Sequence, residues 1–334
     1  MRRVHVLLTA ATLAIAAGAC GNEAETDGGG ADASWPQRDV RIMAPADPGG
    51  GWDSTAREMA EALRKSKVID KGVEVYNVPG AGGTIGLSQL ASKRAGESNE
   101  LMVMGLVMLG AILTNDSPVD LSKTTPIAAL TTEPEAIAVR SQSPYKSMQD
   151  LVDAMKADPG KVSFGGGSAG GTDQILVGLV ANAVDVDPSK PKYVAYSGGG
   201  EALQSILSGS VDAGVSGVSE FADQVEAGKM RILAVSTEEG LQVAGEKAPS
   251  LVEQGIDVEI TNWRGVVAPP DIDPAERDAI VDAMAKLRDS PEWQQVLERN
   301  DWTDFFKPGD EFQAFIESEN QRVEQVLRDV GLTE

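Results

Sequence analysis

The sequence predicts an α/β protein of two lobes with a ligand cleft at the hinge between them. Three observations carry that prediction. Short β-type runs alternate with helix-length amphipathic segments almost throughout, which favours parallel α/β units over a sandwich or a bundle. About 300 residues follow a low-complexity N-terminal stretch, two domains' worth of chain. Four glycine-rich clusters each follow a strand-type run and precede a helix-type one, at equivalent ends of the two lobes.

The N-terminus opens with Arg2 and Arg3 before an apolar stretch, Val4 to Ala17, and then Gly18, Ala19 and Cys20. The stretch is too short to span a bilayer, which takes about 20 apolar residues. Residues 1–19 therefore read as a lipoprotein signal peptide, with Cys20 as the acylated residue. Gly21 to Ser34 contains no aromatic or β-branched apolar residue. Such a composition buries too little surface to order itself, so residues 20–35 are expected to form a flexible tether.

In the body, Val40 to Met43 reads as a buried strand, and Asp53 to Ser66 as a helix with Asp53 or Ser54 at its N-cap. Val73 to Val78 is the next strand, Thr84 to Lys93 a helix, and Leu101 to Gly105 a third strand. Two β-type runs, Ile127 to Thr131 and Ala136 to Val139, lead to a helix from Met148 to Ala157 opened by Ser147 with Asp150. This segment reads as the crossing into the second lobe. Val162 to Phe164, Tyr193 to Tyr196 and Asp212 to Val215 supply that lobe's strands; Thr172 to Val184, Glu201 to Ser208 and Phe221 to Ala227 supply its helices. Ile232 to Ser236 crosses back. Val258 to Ala268 then reads as β structure, with helices at Ala275 to Leu287, Pro291 to Glu298 and Asp310 to Val330. Lobe 1 is thus residues 36–135 plus 237–334 and lobe 2 residues 136–236, joined by two crossings that make a hinge and a cleft.

Composition limits the chemistry. The only cysteine and the only histidine, Cys20 and His5, lie in the N-terminal segment. The body therefore lacks a thiolate, an imidazole and the usual zinc or copper ligand sets, so neither metal nor cofactor is expected. Any catalysis would rest on carboxylates, lysine or tyrosine. With 29 basic against 51 acidic residues, no positive field is available to hold phosphate backbones, which excludes nucleic acid as a partner. An anionic ligand would have to be held by local donors inside a site.

The glycine clusters are Gly49-Gly50-Gly51, Gly80-Ala81-Gly82-Gly83, Gly165 to Gly171 and Gly198-Gly199-Gly200. Loops without side chains let backbone N–H groups approach a ligand, and the helix N-terminus behind them favours a carboxylate or phosphate. Tight βα turns alone would also account for any one cluster. Two enzyme signatures are mimicked. Gly166-Gly167-Ser168-Ala169-Gly170 matches the hydrolase elbow, but the body has no histidine to activate Ser168. Gly165, Gly167 and Gly170, with Asp185 or Asp187 downstream, match a dinucleotide fingerprint, yet mid-chain among similar loops rather than opening a domain.

Taken together and in order, several motifs resemble those of the receptors of tripartite tricarboxylate transporters, the Bug-type extracytoplasmic solute receptors. They are Pro48-Gly49-Gly50-Gly51-Trp52-Asp53-Ser54-Thr55-Ala56-Arg57, Asn77-Val78-Pro79-Gly80-Ala81-Gly82-Gly83 and Tyr196-Ser197-Gly198-Gly199-Gly200-Glu201-Ala202, with Pro249 to Gly255 and Trp263-Arg264-Gly265-Val266-Val267-Ala268-Pro269-Pro270. The resemblance runs from about Pro36 to the end. It implies a two-lobe periplasmic-binding-protein-like fold of type II, without catalytic activity. The receptor would be a monomer, lipid-anchored on the extracytoplasmic side, binding a small carboxylate and delivering it to membrane permease subunits. Carried onto matching positions, the ligand-binding residues are Gly50, Gly51 and Asp53; Ala81, Gly82, Gly83 and Thr84; Ser168, Gly170 and Gly171; and Ser197 and Gly198. Asp53 is favoured as a helix cap over an anion contact.

Two departures bear on the ligand. Trp52 stands where the family more often has a small hydroxyl residue, and either narrows the cleft, stacks on a flat ligand or packs on the surface. Asp173 stands where the family often has histidine, and a negative charge there disfavours a second ligand carboxylate. Monocarboxylates, aromatic acids and polar uncharged solutes remain open. Arg57 and Arg140 read as ion-pair residues before anion clamps, and Trp263, Trp293, Trp302, Phe305 and Phe306 as C-terminal packing. Two rival functions remain open. One is presentation of the ligand to a membrane sensor. The other is a carboxylate-dependent hydrolase, which needs paired acids in the cleft; the expected loops supply Asp53 and Asp173 with no partner acid on one face.

Overall fold

The computed structural model describes residues 35–196 and 199–333. The expected signal peptide, Cys20 and residues 21–34 of the tether lie outside the described residues. Trp35 belongs to the body, its Nε1 donating to the Ser98 carbonyl at 2.9 Å.

The chain opens with β1 (Val40–Ala44), α1 (Gly51–Lys65), β2 (Val73–Asn77), a 3-10 turn at Ala81–Gly83, α2 (Thr84–Lys93), β3 (Glu100–Gly105) and α3 (Leu106–Thr114). The long strand β4 (Thr125–Arg140) and α4 (Met148–Ala157) follow, then β5 (Ser163–Gly166), α5 (Thr172–Ala183), β6 (Lys192–Ala195), α6 (Gly199–Ser208), β7 (Ala213–Gly217), α7 (Val218–Glu226) and β8 (Met230–Val235). A small hairpin, β9 (Leu241–Val243) with β10 (Glu246–Ala248), precedes β11 (Thr261–Ala268), α8 (Pro274–Arg288), α9 (Pro291–Arg299), β12 (Thr303–Pro308) and α10 (Gly309–Asp329).

Helical periodicity explains α1, whose Ala56, Met59, Ala60 and Leu63 lie on one face and are buried. β3 is buried along its whole length, as expected of a strand covered on both faces. α4 begins at a capping box in which Ser147 accepts from the Asp150 N–H and Asp150 accepts from the Ser147 N–H. Its bounds and those of α2 match the sequence reading, because each has a clear N-terminal boundary and an amphipathic or helix-favouring run.

The mixed α/β architecture has two lobes sharing one strand. β1 lies between β2 and β3, all parallel, and β11 runs antiparallel between β3 and β4. In the second group β5 lies between β6 and β7, again parallel, and β7 runs antiparallel to β4. From Thr125 to Pro134, β4 pairs with β11, and β12 adds on its other side; from Glu135 to Arg140 it pairs with β7 and β8. The two runs expected from the sequence are therefore one strand of 16 residues. Pro134 interrupts the apolar pattern but stays in the strand. The return path is stitched beside it: the Ser236 N–H donates to the Glu135 carbonyl and the Ile260 N–H to the Ser236 carbonyl.

Four elements were not foreseen. α3 is almost uniformly apolar, so it has no polar face to reveal a helical period. β9, β10 and β12 are short strands whose pairing depends on tertiary context.

Candidate functional site

The loops after β1, β2 and β5, the start of α7 and strand β11 converge on a cavity of 260 Å³. Gly50, Gly51 and Trp52 form one wall, Gly80 to Gly83 a second, and Gly167 and Ser168 face them from the other lobe. Helix N-termini are concentrated here. α1, α2, α5 and α7 have Gly50, Gly83, Gly171 and Gly217 as N-caps, and none makes a side-chain capping bond. A glycine cap supplies no oxygen to the first-turn N–H groups, so these remain donors for another acceptor. At two of them an acceptor is internal: the Asp173 carboxylate takes its own N–H at the start of α5, and at α7 the Ser219 N–H donates to Glu133 Oε1 at 3.1 Å, with the Ser219 hydroxyl also donating to it.

The second loop requires its glycines. The backbone is left-handed through Gly80, Ala81, Gly82 and Gly83, with φ of 123°, 49°, 59° and 91°. A Cβ at Gly82 would fall 2.4 Å from the Ala111 Cβ, and one at Gly83 would fall 2.7 Å from Trp52 Cζ3. Trp52 is thus both core and wall, 8% exposed, its ring laid against the Gly83 backbone. It lines the cavity while packing against Gly83.

Several expected ligand contacts lie behind the cavity surface. Asp53 is the third residue of α1, not its N-cap, which is Gly50. Its Oδ2 accepts from the Gly49 N–H and Arg57 Nε, both at 2.9 Å, and its Oδ1 accepts from Asn77 Nδ2 at 2.8 Å. Hydrogen bonds from Arg57, Gly49 and Asn77 hold its carboxyl below the usual range despite burial. Asp53 is therefore a brace for the loop, and Arg57 is its ion-pair partner. The Thr84 hydroxyl donates to the Ala81 carbonyl at 3.0 Å and fixes the same turn. Gly170 and Gly171 are packing positions: a Cβ at Gly170 would fall 2.6 Å from Thr114 Cγ2, and one at Gly171 2.9 Å from the Ser168 carbonyl oxygen. Ser197 and Gly198 lie outside the described residues.

The charged groups of the site were largely missed. Among the described residues four charged side chains line the cavity: Asp47, Asp173, Glu220 and Arg264. Arg264 is 4% exposed and donates through Nη2 to Glu133 Oε2 at 3.0 Å, with Glu133 1% exposed. Its guanidinium presses on α1, where a Cβ at Gly51 would lie 2.8 Å from Nη2, and it lies over the Trp302 ring at 5.2 Å. Asp173 Oδ2 accepts from the Gly167 N–H at 2.6 Å. Burial pushes the Asp173 carboxyl up to about 7, with Glu220 and Glu133 adding to the rise and the Gly167 N–H opposing it. Burial, with repulsion from Asp173, Glu133 and Glu220, raises Glu135 well above the carboxylate range; burial and Glu133 raise Glu220.

Partner acids for Asp173 therefore exist, contrary to the sequence reading. The available signal was Glu133-Pro134-Glu135 inside an otherwise apolar strand, with Arg264 inside another. The expected packing role fits Trp263 and Trp293, both at most 1% exposed. Trp263 meets Phe312 and Phe315 edge-on, and its Nε1 donates to Glu319 Oε2 at 2.9 Å.

Comparison with known proteins adds a family and a fold. A family model described as tripartite tricarboxylate transporter family receptor matches residues 55–332. A UPF0065 protein of Cupriavidus necator is 27% identical over 340 residues, covering 99% of each chain. Among solved structures, a Rhodopseudomonas palustris protein with adipate superposes with a TM-score of 0.79 at 22% identity, covering 89% of this chain and 98% of the other. MatC of Rhodopseudomonas palustris with bound malate gives 0.76 at 23%, covering 88% and 100%.

Proposed function

The chain belongs to the tripartite tricarboxylate transporter receptor family, and on that premise we propose that it is an extracytoplasmic solute receptor without enzymatic activity. It captures a small organic acid in the cleft and delivers it to a membrane permease. The observation that carries this reading is the convergence of uncapped helix N-termini on one cavity, through Gly50 and Gly51 on one side, Gly83 on a second and Ser168 opposite. Several N–H donors with the positive ends of helix dipoles hold a carboxylate without requiring a full positive charge. Gly50, Gly51, Trp52, Ala81 to Gly83 and Ser168 are the proposed contact residues; Asp53 and Thr84 support them.

Lobe 1 (36–135 and 237–334) and lobe 2 (136–236) are proposed to close on the ligand by bending at β4 and at the return segment near Ser236. Cys20 is the proposed site of acylation after removal of residues 1–19. Among the described residues no helix is long and apolar enough to cross a membrane, and the reading assigns translocation to separate permease subunits. Malate and adipate in two structural relatives support an organic acid as ligand here.

The test is thermal unfolding of the full-length protein against mono-, di- and tricarboxylates, amino acids, sugars and nucleotides. Ligand bound only to the native state raises the midpoint, by about 5 °C at 100-fold excess over Kd. A shift confined to carboxylate-bearing compounds is expected. A shift with sugars or nucleotides alone would leave the fold standing and remove the ligand class.

The acids around Asp173 favour a second reading, a carboxylate-dependent hydrolase, since glycoside cleavage uses a pair of neighbouring carboxyl groups. Aryl ester and aryl glycoside turnover distinguishes the two readings, and the receptor reading expects none.

A further inference from the structure

The cavity is electrostatically divided, and its two sides are built differently from similar parts. On the first lobe, the β1–α1 loop places Asp53 at the third position of its helix, taking the Gly49 N–H, and neutralises it with Arg57 and Asn77. On the second lobe, the β5–α5 loop places Asp173 just after the N-cap Gly171, taking the Gly167 N–H. Asp173 has no basic partner among the described residues. Its charged neighbours are Glu220 on α7 and Glu133 and Glu135 on β4, with the phenol of Tyr193 on β6. The single arginine among the described residues of the cavity, Arg264, pairs with Glu133 and lies against the N-terminus of α1.

Two further observations bear on the charge of this wall. Glu135, behind the cavity and not part of its lining, is completely buried, and neither of its carboxyl oxygens has a hydrogen-bond partner among the described residues. Arg264, 4% exposed and on the cavity wall, has a buried Nη1 that is likewise unpartnered. A resident metal does not explain the acids, because among the described residues no group of three or more His, Cys, Asp or Glu is placed to hold one. A buried carboxylate cluster is stable only when a cation or a proton joins it. A dicarboxylate would add charge of the wrong sign to the second lobe.

From this division, and resting on the receptor reading above, we propose that the solute is a zwitterion, a small monocarboxylate bearing an ammonium group. Its carboxylate lies at the N-termini of α1 and α2 beside Arg264, and its ammonium lies at Asp173 and Glu220. The two poles then match the two walls, and the ligand supplies the positive charge that Arg57 supplies to Asp53. Asp173 and Glu220 become specificity-determining residues, rejecting a second carboxylate by repulsion.

The experiment is thermal unfolding of the full-length protein at pH 8 with glycine, β-alanine, 4-aminobutyrate and 5-aminopentanoate. Each is paired with the acids carrying a methyl or a carboxylate in place of the ammonium: propionate and malonate, butyrate and succinate, pentanoate and glutarate, hexanoate and adipate. At least one amino acid is expected to raise the midpoint by about 5 °C at 100-fold excess over Kd, while its paired acids leave it unmoved. Asp173→Asn and Glu220→Gln each weaken that binding about tenfold or more, without lowering the unliganded midpoint. Affinity also rises as pH passes through 7, where Asp173 ionises. A shift from succinate or glutarate but not from the amino acids overturns the zwitterion and leaves the receptor standing. A shift from calcium or potassium chloride alone overturns it in favour of an inorganic cation. No shift from any acid overturns both readings.

Discussion

Arg264→Met is expected to lower unfolding free energy by about 3–5 kcal/mol, the usual cost of stranding one member of a buried ion pair. Arg264 and Glu133 are almost fully buried and joined at 3.0 Å, and Glu133 repels Glu135, Glu220 and Asp173, all acidic. Without the guanidinium, Glu133 keeps only its Ser219 hydrogen bonds and must take up a proton or remain an uncompensated charge. Adding Glu133→Gln to the same chain removes that charge and is expected to restore most of the loss. Urea unfolding of both variants checks this. A single variant within about 1 kcal/mol of the native protein would show that the pair does not hold β4 to β11.

Stability of the unliganded protein is expected to fall as pH rises from about 4 to above 7, opposite to a protein held together by ionised carboxylates. The sign follows from Asp173, whose carboxyl is pushed up to about 7 from an ordinary value of 3.8. Between those values the native state holds a proton that the unfolded chain has released, so raising pH favours unfolding. The loss is on the order of 4 kcal/mol if Asp173 acts alone. Glu135 and Glu220, also raised, act in the same direction. Asp53 is lowered and acts oppositely, but only as pH falls below about 4. Asp173→Asn keeps an acceptor for the Gly167 N–H and should flatten the dependence. Urea midpoints at pH 4.5, 6.0 and 7.5 measure it, and a midpoint that rises steadily to pH 7.5 would contradict the assignment.

What could be read from the sequence was what local chemistry determines. α2 and α4 emerged with their observed bounds, since a capping box or a glycine loop marks a start without tertiary help. The cavity-facing Gly50, Gly51, Ala81, Gly82, Gly83 and Ser168 came from the family resemblance, which was visible because glycine-rich βα loops recur in a fixed order along the chain. Asp53 was legible only as an acid near a helix start. Gly50 serving as cap, with Asp53 reaching back to Gly49, depends on a loop conformation that spacing does not reveal. The charge pattern of the cleft was least legible. Arg264 and Glu133 stand 131 residues apart, and an acid cluster assembled from β4, α5 and α7 has no linear motif. α3 was missed for the opposite reason, being too uniformly apolar to display a period.

The most direct test of the account is calorimetric titration of the native protein and Gly50→Asp with the solute that gives the largest thermal shift. At this position a side chain meets nothing closer than the Asp47 carbonyl oxygen, 3.6 Å from the Cβ, and the backbone is extended. An N-cap aspartate is as favourable as glycine or slightly better. The substitution therefore leaves the unliganded midpoint unchanged or slightly raised, while its carboxylate takes the α1 N–H groups that the ligand needs. One site per chain, with affinity reduced at least tenfold in the variant, is the predicted result. Equal affinity in both proteins would place the ligand elsewhere and contradict capture at the helix N-termini.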